Sequence, residues 1–412
     1  MATGREITRA EGLAELKEGR APGEKALLRE ISTGLESLLE FWIRNYLTTY
    51  LPAGGSKIKF ITGNSGSGKT HFSRAVEGEA EDLGFLTVSF SAKKVWLHDF
   101  REVYLEILRQ CDIEQVLKRC ADQVVREMNA NPEDIPEGSS FLDLLAERGE
   151  ADAFTKNAIR GILREMFTKN PLLDNTFALC CSMLVGGTLG HPVLESASRK
   201  LILAYLSGDK TVKAAQLRAI GLNPSPITKY NARHLLRSLC EVVKLAGYTG
   251  LLVTVDDLEI LMNRTTGDPI RYTKLRRDDT YESIRQLIDD IDSMRYIGFL
   301  FCFDRELMEN ESVGMKTYQA LWMRIQNEVV STRFNRFADI IDMDRYADEI
   351  YTPAVLAEMS GKLCDALAEA GVEAHPLTEE KAAELRSRAA FGRMGLPFMM
   401  NRMTLEGGEA DG

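Results

Sequence analysis

Eight consecutive residues, Gly63-Asn64-Ser65-Gly66-Ser67-Gly68-Lys69-Thr70, fit the phosphate-binding pattern G-x-x-x-x-G-K-[ST] in full. The β-prone run Lys57–Thr62 leads into them and the helix-competent stretch His71–Leu83 leads out. A strand ending in a glycine-rich turn that opens a helix aims backbone N–H groups and the positive helix end at one point, where a polyphosphate is stabilised. Gly63, Asn64, Ser65, Gly66, Ser67 and Gly68 would form the cradle. Lys69 would reach the β- and γ-phosphates, and the Thr70 hydroxyl would bind Mg²⁺. An accidental Gly/Ser-rich loop would not be expected to sit between a strand and a helix.

The second half of such a site is an apolar strand ending in acid, which sets a carboxylate beside the loop to hold Mg²⁺. Gly250-Leu-Leu-Val-Thr-Val-Asp256-Asp257-Leu-Glu259 has that form. Asp256 is the metal candidate. Asp257 or Glu259 is the candidate for orienting an attacking water; the shorter arm at Asp257 leaves slow turnover open. A later apolar run, Tyr296–Phe303, ends in Asp304-Arg305. A polar group there could sense a γ-phosphate, or it could equally be a strand-end turn or a helix N-cap.

Two basic clusters carry competing readings. In Ser331-Thr-Arg333-Phe334-Asn-Arg336-Phe337, an arginine could reach a nucleotide held by a neighbouring subunit, with Arg333 placed ahead of Arg336. The plainer alternative is surface arginines packed over Phe334 and Phe337. Arg271-Tyr272-Thr-Lys274-Leu-Arg276-Arg277 could contact nucleic acid through bases and an aromatic. Its acidic neighbours favour instead a solvated loop before a helix N-capped at Asp278-Asp279.

Positioning these groups takes several elements. Residues 1–52 carry apolar residues at helical spacing, with Ala26–Tyr50 reading as one helix after a break at Arg20–Gly23. Residues 53–99 and 248–346 hold the strands and motifs: Phe85–Phe90 follows the first helix as a βαβ unit, and Asp339–Met343 is a short last strand. Residues 100–247 read as a helical insertion, 347–406 as a helical lid, and 407–412 as a disordered tail. The class is α/β, with a parallel sheet whose central strands are covered on both faces.

The 412 residues carry a formal charge of −10, which argues against non-specific coating of nucleic acid but leaves room for a local basic groove. No run approaches the roughly 20 apolar residues that span a bilayer. The polar first residues contain no apolar secretion signal. Seven cysteines without C-x-x-C spacing suit reduced, buried thiols in a cytoplasmic protein. The five histidines are scattered, so a zinc site is not expected.

Taken in order, these motifs resemble those of AAA+ and related P-loop ATPases, with the Ser331–Phe334 segment similar to the arginine-finger box of that superfamily. More specifically, the helical start, the loop after a Gly-rich turn, the long helical insertion and the Gly250–Glu259 strand resemble the BREX-system ATP-binding (BrxC/BrxD-like) family. The resemblance implies an AAA+-like core in which an extra strand lies between the loop strand and the acidic strand. It also implies ATP and Mg²⁺ as cofactors, a role in bacterial anti-phage defence, and assembly as a homo-oligomer or with other defence proteins. DNA would be met directly or through partners, and no membrane is implied. The chain departs from the superfamily pattern at Asp257, where a Glu is usual. No clear sensor arginine stands out in the lid, where Arg393 and Arg402 are the candidates. Hydrolysis that remodels or licenses a protein–DNA complex is one expectation. An ATP-dependent switch or scaffold that barely hydrolyses is the other, and a small-molecule kinase suits the long insertion less well.

Overall fold

Short runs rich in Ile, Val, Leu and Phe assemble into a parallel sheet that carries both acidic and glycine-rich motifs on one edge. The computed structural model describes residues 7–262, 270–325, 334–389 and 394–406. Its strands are β1 (Ser56–Gly63), β2 (Leu86–Ser91), β3 (Leu251–Asp256), β4 (Ile297–Asp304) and β5 (Ile340–Asp342). Five strands, all parallel, lie in the order β2-β3-β4-β1-β5. The strand β4 thus lies between the strand that precedes the glycine-rich loop and the strand that ends in acid.

Register sets the chemistry. Gly63 pairs with Asp304, and Ser91 pairs with Asp256. The polar strand ends therefore meet at one carboxyl edge, where open parallel sheets place their ligands.

Side chains alternate between two cores, as a period of two requires. Leu251, Val253 and Val255 of β3 and Phe299 and Phe301 of β4 face one core, shared with the helices Phe100–Gln110, Ile113–Glu127 and Ala232–Leu245. Leu252, Leu300 and Cys302 face the other. That second core takes Phe72, Val76 and Ala80 from the helix Lys69–Asp82, together with the N-terminal helices and those after β5. Burying a residue such as Phe72 contributes about 1.5–3 kcal/mol, so the helix that begins at Lys69 is held by its apolar stripe.

Two expectations are corrected. The stretch Ala26–Tyr50 is not one helix but Lys25–Ile31 and Glu36–Trp42, the latter running on to Tyr50. The first helix is capped at Ser32, and Gly34 beyond it adopts a left-handed backbone (φ +81°) that turns the chain into the next helix. The helix after β3 starts at Lys274, not behind Asp278-Asp279, because the Thr273 side chain accepts from Arg276 N–H and caps it earlier.

Between β2 and β3, the segment is helical over Phe100–Gln110, Ile113–Glu127, Phe141–Glu147, Ala153–Leu163, Asn175–Leu189, Ser196–Leu206, Ala214–Ala219 and Ala232–Leu245. Pro353–Glu369, Glu379–Ala389 and Leu396–Leu405 close the chain. No helix among the described residues is long and apolar enough to cross a membrane.

Candidate functional site

The loop between β1 and the helix Lys69–Asp82 ends at Gly68, an N-cap position with no side chain to satisfy the first turn. The N–H groups of Gly66, Gly68, Lys69 and Thr70 donate to no other described residue. Orphan donors gathered at a helix N-terminus form an anion-binding cradle. The Lys69 ammonium lies inside it, bonded to Asn64 O at 2.8 Å, Gly63 O at 3.1 Å and Asp304 Oδ1 at 2.7 Å.

Thr70 Oγ1 donates to Asp256 Oδ2 at 2.9 Å, and the other Asp256 oxygen accepts from Asp257 N–H at 2.8 Å. Burial raises the Asp256 carboxyl above its usual range, against the pull of Asp257 N–H, Thr70 and Lys69. Asp257 itself has a left-handed backbone (φ +62°), a conformation that Asp tolerates better than most residues. Its side chain turns towards the end of β2, bonding Ser91 Oγ, and Lys93 Nζ at 2.7 Å. Thr70, Asp256 and Asp257 line one cavity of about 540 Å³ with Arg74, Ser91 and Lys94.

Glu259 follows in the short 3₁₀ turn Leu258–Met262. Burial first, then the negative charge of Asp304, push its carboxyl up to about 7. Its one ion-pair partner among the described residues is Lys93, at 3.7 Å. Glu259 therefore combines a near-neutral affinity for its proton with a position between Asp304 and Lys93, whereas Asp257 is tied by two hydrogen bonds.

Asp304 occupies the N-cap position of the helix Arg305–Glu309, yet makes no capping bond with its side chain. Its carboxylate goes to Lys69 instead. The adjacent Arg305 reaches in another direction, to Asp342 at 2.5 Å and Asp344 at 2.9 Å. Asp344 in turn accepts from Asn64 N–H at 2.8 Å. The ends of β4 and β5 are thus coupled to the loop through one arginine.

A second cavity, of about 430 Å³, opens on the other side of Lys69 and Thr70. Its walls are Leu16, Glu18 to Pro22 and Ile31 from the N-terminal segment and Met359, Leu363, Pro397, Phe398, Met400 and Asn401 from the C-terminal helices. Gly395 N–H donates to Ser65 O at 2.8 Å and Phe398 N–H to Gly66 O at 3.1 Å, so the last helix sits directly on the loop. His71 lines this cavity, with its Nε2 2.6 Å from Ser32 Oγ, and burial pushes its imidazole down to about 4, so it is neutral near pH 7. Arg74 ties the same helix to Ala21 O and Glu15.

The residues singled out from the sequence thus fall into two groups. Gly63–Thr70, Asp256, Asp257, Glu259 and Asp304 lie along one edge of the sheet. Arg333 and Arg393 lie outside the described residues. Arg336 packs over the Phe41 ring at 5.8 Å, not over Phe334 or Phe337, and Arg402 pairs with Glu406 at 2.7 Å. Sequence reasoning missed the walls of the 430 Å³ cavity, Lys93, and the link from Arg305 to Asp344. The signals available were slight: Gly395 and Pro397 at a helix start, and the acids that flank Met343.

The donor set suits a Mg²⁺–triphosphate. Backbone N–H groups and an ammonium match phosphate oxygens, and a hydroxyl paired with a carboxylate offers hard oxygen ligands. Among the described residues no group of three or more His, Cys, Asp or Glu is arranged to hold a metal alone. A cation bound at Thr70 and Asp256 would complete its shell with phosphate and water, the usual habit of Mg²⁺.

No match was found among curated proteins or solved structures. A family model, that of the BREX system ATP-binding protein BrxC/D, matches residues 6–395. The chain belongs to this family of BREX system ATP-binding proteins.

Proposed function

We propose that this protein is a cytoplasmic, AAA+-like P-loop ATPase that serves anti-phage defence by remodelling or licensing a protein–DNA complex. The reading rests on one observation: Lys69 with Asp304, and Thr70 with Asp256, meet at a single sheet edge. The position of β4 between β1 and β3 supports the AAA+-like assignment.

In this reading residues 53–99 and 248–346 form the ATPase core, 100–247 an insertion and 347–406 a lid. Mg²⁺ supplies charge neutralisation across the phosphates when bound. Gly63–Gly68 and Lys69 hold the phosphates, Thr70 and Asp256 hold the cation, and the 430 Å³ cavity takes the nucleoside. Glu259 is placed to accept a proton from water and Asp304 to report on the γ-phosphate. Arg333 of a neighbouring copy would complete the site, so the working form is an oligomer or a complex with other defence proteins. Phosphate loss frees Lys69 to return to Asp304, and the lid, bonded to Ser65 and Gly66, moves with the loop.

The test is phosphate release from ATP and Mg²⁺ by the full chain, with and without duplex DNA, over a range of protein concentration. Turnover that rises with protein concentration and DNA, and is lost in Asp256→Asn, is the expected result. A second reading, a switch that binds ATP and barely hydrolyses it, draws support from the Asp257 side chain being held by Ser91 and Lys93. Saturable ATP binding with no turnover under any of these conditions would decide for the switch.

A further inference from the structure

We infer that the loop after β2 and the first turn of the helix Lys274–Asp290 form a binding surface for the phosphate backbone of nucleic acid. The inference deepens the DNA element of the proposed function, and its test uses no nucleotide turnover, so either can fail without the other.

The surface brings together Lys94, Trp96 and His98 from the β2 loop, Lys229 and Tyr230, and Arg271 to Arg277. Arg276 lies over the Trp96 ring at 4.4 Å, and His98 and Tyr272 meet the same ring edge-on at 5.0 and 5.4 Å. Arg276 and Lys229 both help to hold the His98 imidazole below its usual range, behind the effect of burial and against the charges of Asp99 and Asp279.

Charge placement carries the argument. Lys274, Arg276 and Arg277 occupy the first turn of their helix, which contains no acid. Cations there oppose the positive helix end and cost stability, by a few tenths of a kcal/mol each. Among the described residues, none of the ion pairs involves Lys94, Lys229, Arg271, Lys274, Arg276 or Arg277. In a chain of net charge −10, six such cations against Asp99, Asp278 and Asp279 form a local excess of positive charge. An arrangement that weakens the helix, and whose cations pair with no carboxylate among the described residues, fits an external polyanion.

The aromatic content selects among polyanions. Tyr230 is 82 % exposed and Leu275 77 % exposed on this surface. Bases and sugars offer flat faces to such groups, and acidic protein segments do not. A neighbouring groove that Lys94 and Trp96 also line carries Glu102, Glu106, Asp112 and Glu114. These acids repel phosphate and confine a strand to the basic ridge. The ridge adjoins the nucleotide site, since Lys93, one residue before Lys94, bonds Asp257 at 2.7 Å.

The experiment is fluorescence anisotropy of labelled duplex and single-stranded oligonucleotides with the full chain, from about 50 to 200 mM salt. The expected result is salt-dependent binding to at least one of the two. The variant Lys94→Gln/Lys274→Gln/Arg276→Gln should lose at least about tenfold in affinity and about two to three in the slope of log K against log salt. Lys381→Gln/Arg388→Gln, remote in the C-terminal helices, should change neither. Melting curves check that the variants fold; if the triple variant does not, Lys274→Gln alone, at an exposed position, should lose about threefold. Equal loss in both sets of variants, no binding to either oligonucleotide at low salt, or equal displacement of the oligonucleotide by polyglutamate would overturn the inference.

Discussion

The Thr70 hydroxyl and the Asp256 carboxylate lie 2.9 Å apart although 186 positions separate them in sequence. The contact follows from register: β3 runs beside β2 with Asp256 opposite Ser91, and β4 brings Asp304 opposite Gly63. In the proposed site, this pair of oxygens would be in place before any cation arrives. Lys69 would have to exchange partners on nucleotide binding in the proposed site, because its three acceptors include the Asp304 carboxylate, which a phosphate would replace.

Lys69→Ala should weaken ATP binding by about 10- to 100-fold, since charge-assisted hydrogen bonds contribute about 1.5–3 kcal/mol. Titration calorimetry with Mg²⁺ measures it directly. Asp304→Asn should act in the opposite direction in the absence of turnover, because it releases Lys69 from its carboxylate partner and removes a charge that repels the γ-phosphate. Unchanged affinity in both variants would remove Lys69 from the site.

Glu259→Gln should leave ATP affinity within about threefold and lower turnover by about 10²–10⁴, the usual weight of a general base. Asp257→Asn should cost less, acting through Lys93 and Ser91. If Asp257→Asn abolishes turnover and Glu259→Gln does not, the roles are reversed. In the wild type, turnover should rise as pH passes about 7, where the Glu259 carboxyl ionises.

Stability runs the other way. Burial pushes both Glu259 and Glu77 up to about 7 from an ordinary 4.5, Glu77 being enclosed beside Thr254 and Ser89. Between these values the folded state binds more protons than the unfolded one, so stability falls as pH rises through that window and levels off above it. Glu77→Gln should flatten the profile measured by denaturant titration at pH 5, 6, 7 and 8. A profile that rises with pH over that range would contradict the burial of these carboxyls.

The glycine-rich loop and the acidic strand end were legible because their chemistry lies in contiguous residues, and the strands because β3 and β4 are largely apolar runs and β1 and β2 are β-prone runs beside glycine turns. What could not be read lies in contacts between distant segments. Nothing near Lys93 announces that it bonds Asp257, and the cavity walls at Leu16, Glu18 to Pro22 and Pro397, Phe398, Met400 and Asn401 are ordinary helix ends until the chain folds. The start of the helix at Lys274 was missed because Asp278-Asp279 offered a stronger cap on paper than Thr273. The helix prevailed over that preference, with Tyr281, Ile284 and Leu287 of its apolar face packed in the core.

Arg305→Met tests the coupling from β4 to the loop. Asp342 is only 8 % exposed in its side chain, and the change leaves it with Arg345 at 3.3 Å and the helix N–H groups it caps. Breaking a buried pair costs about 3–5 kcal/mol when nothing replaces the partner, so about 2–3 kcal/mol is expected here, read from urea unfolding. Asp344, freed of Arg305, would hold Asn64 N–H less firmly, and ATP affinity should fall with stability. A loss of stability below about 0.5 kcal/mol, within the range of ordinary surface changes, would show that the network is ornamental.

Gly395→Ala tests whether the last helix governs the loop. A Cβ at Gly395 would lie 2.2 Å from Ser67 N and 2.4 Å from Gly66 C, both backbone atoms that cannot swing aside. The segment must lift, breaking the bonds from Gly395 N–H to Ser65 O and from Phe398 N–H to Gly66 O. Two lost hydrogen bonds and opened apolar contacts around Leu396 and Phe398 amount to about 2–4 kcal/mol. The 430 Å³ cavity loses its wall of Pro397, Phe398, Met400 and Asn401 at the same time, so ATP affinity should fall by at least about tenfold. Gly361→Ala provides the comparison: it lies within the helix Pro353–Glu369, a Cβ there meets nothing within 4 Å, and it should stabilise the fold by about 0.5–1 kcal/mol without touching affinity. Calorimetry and thermal melting on the two variants separate the effects. If Gly395→Ala binds ATP as the wild type does, the last helix is a passive cover and plays no part in holding the nucleotide.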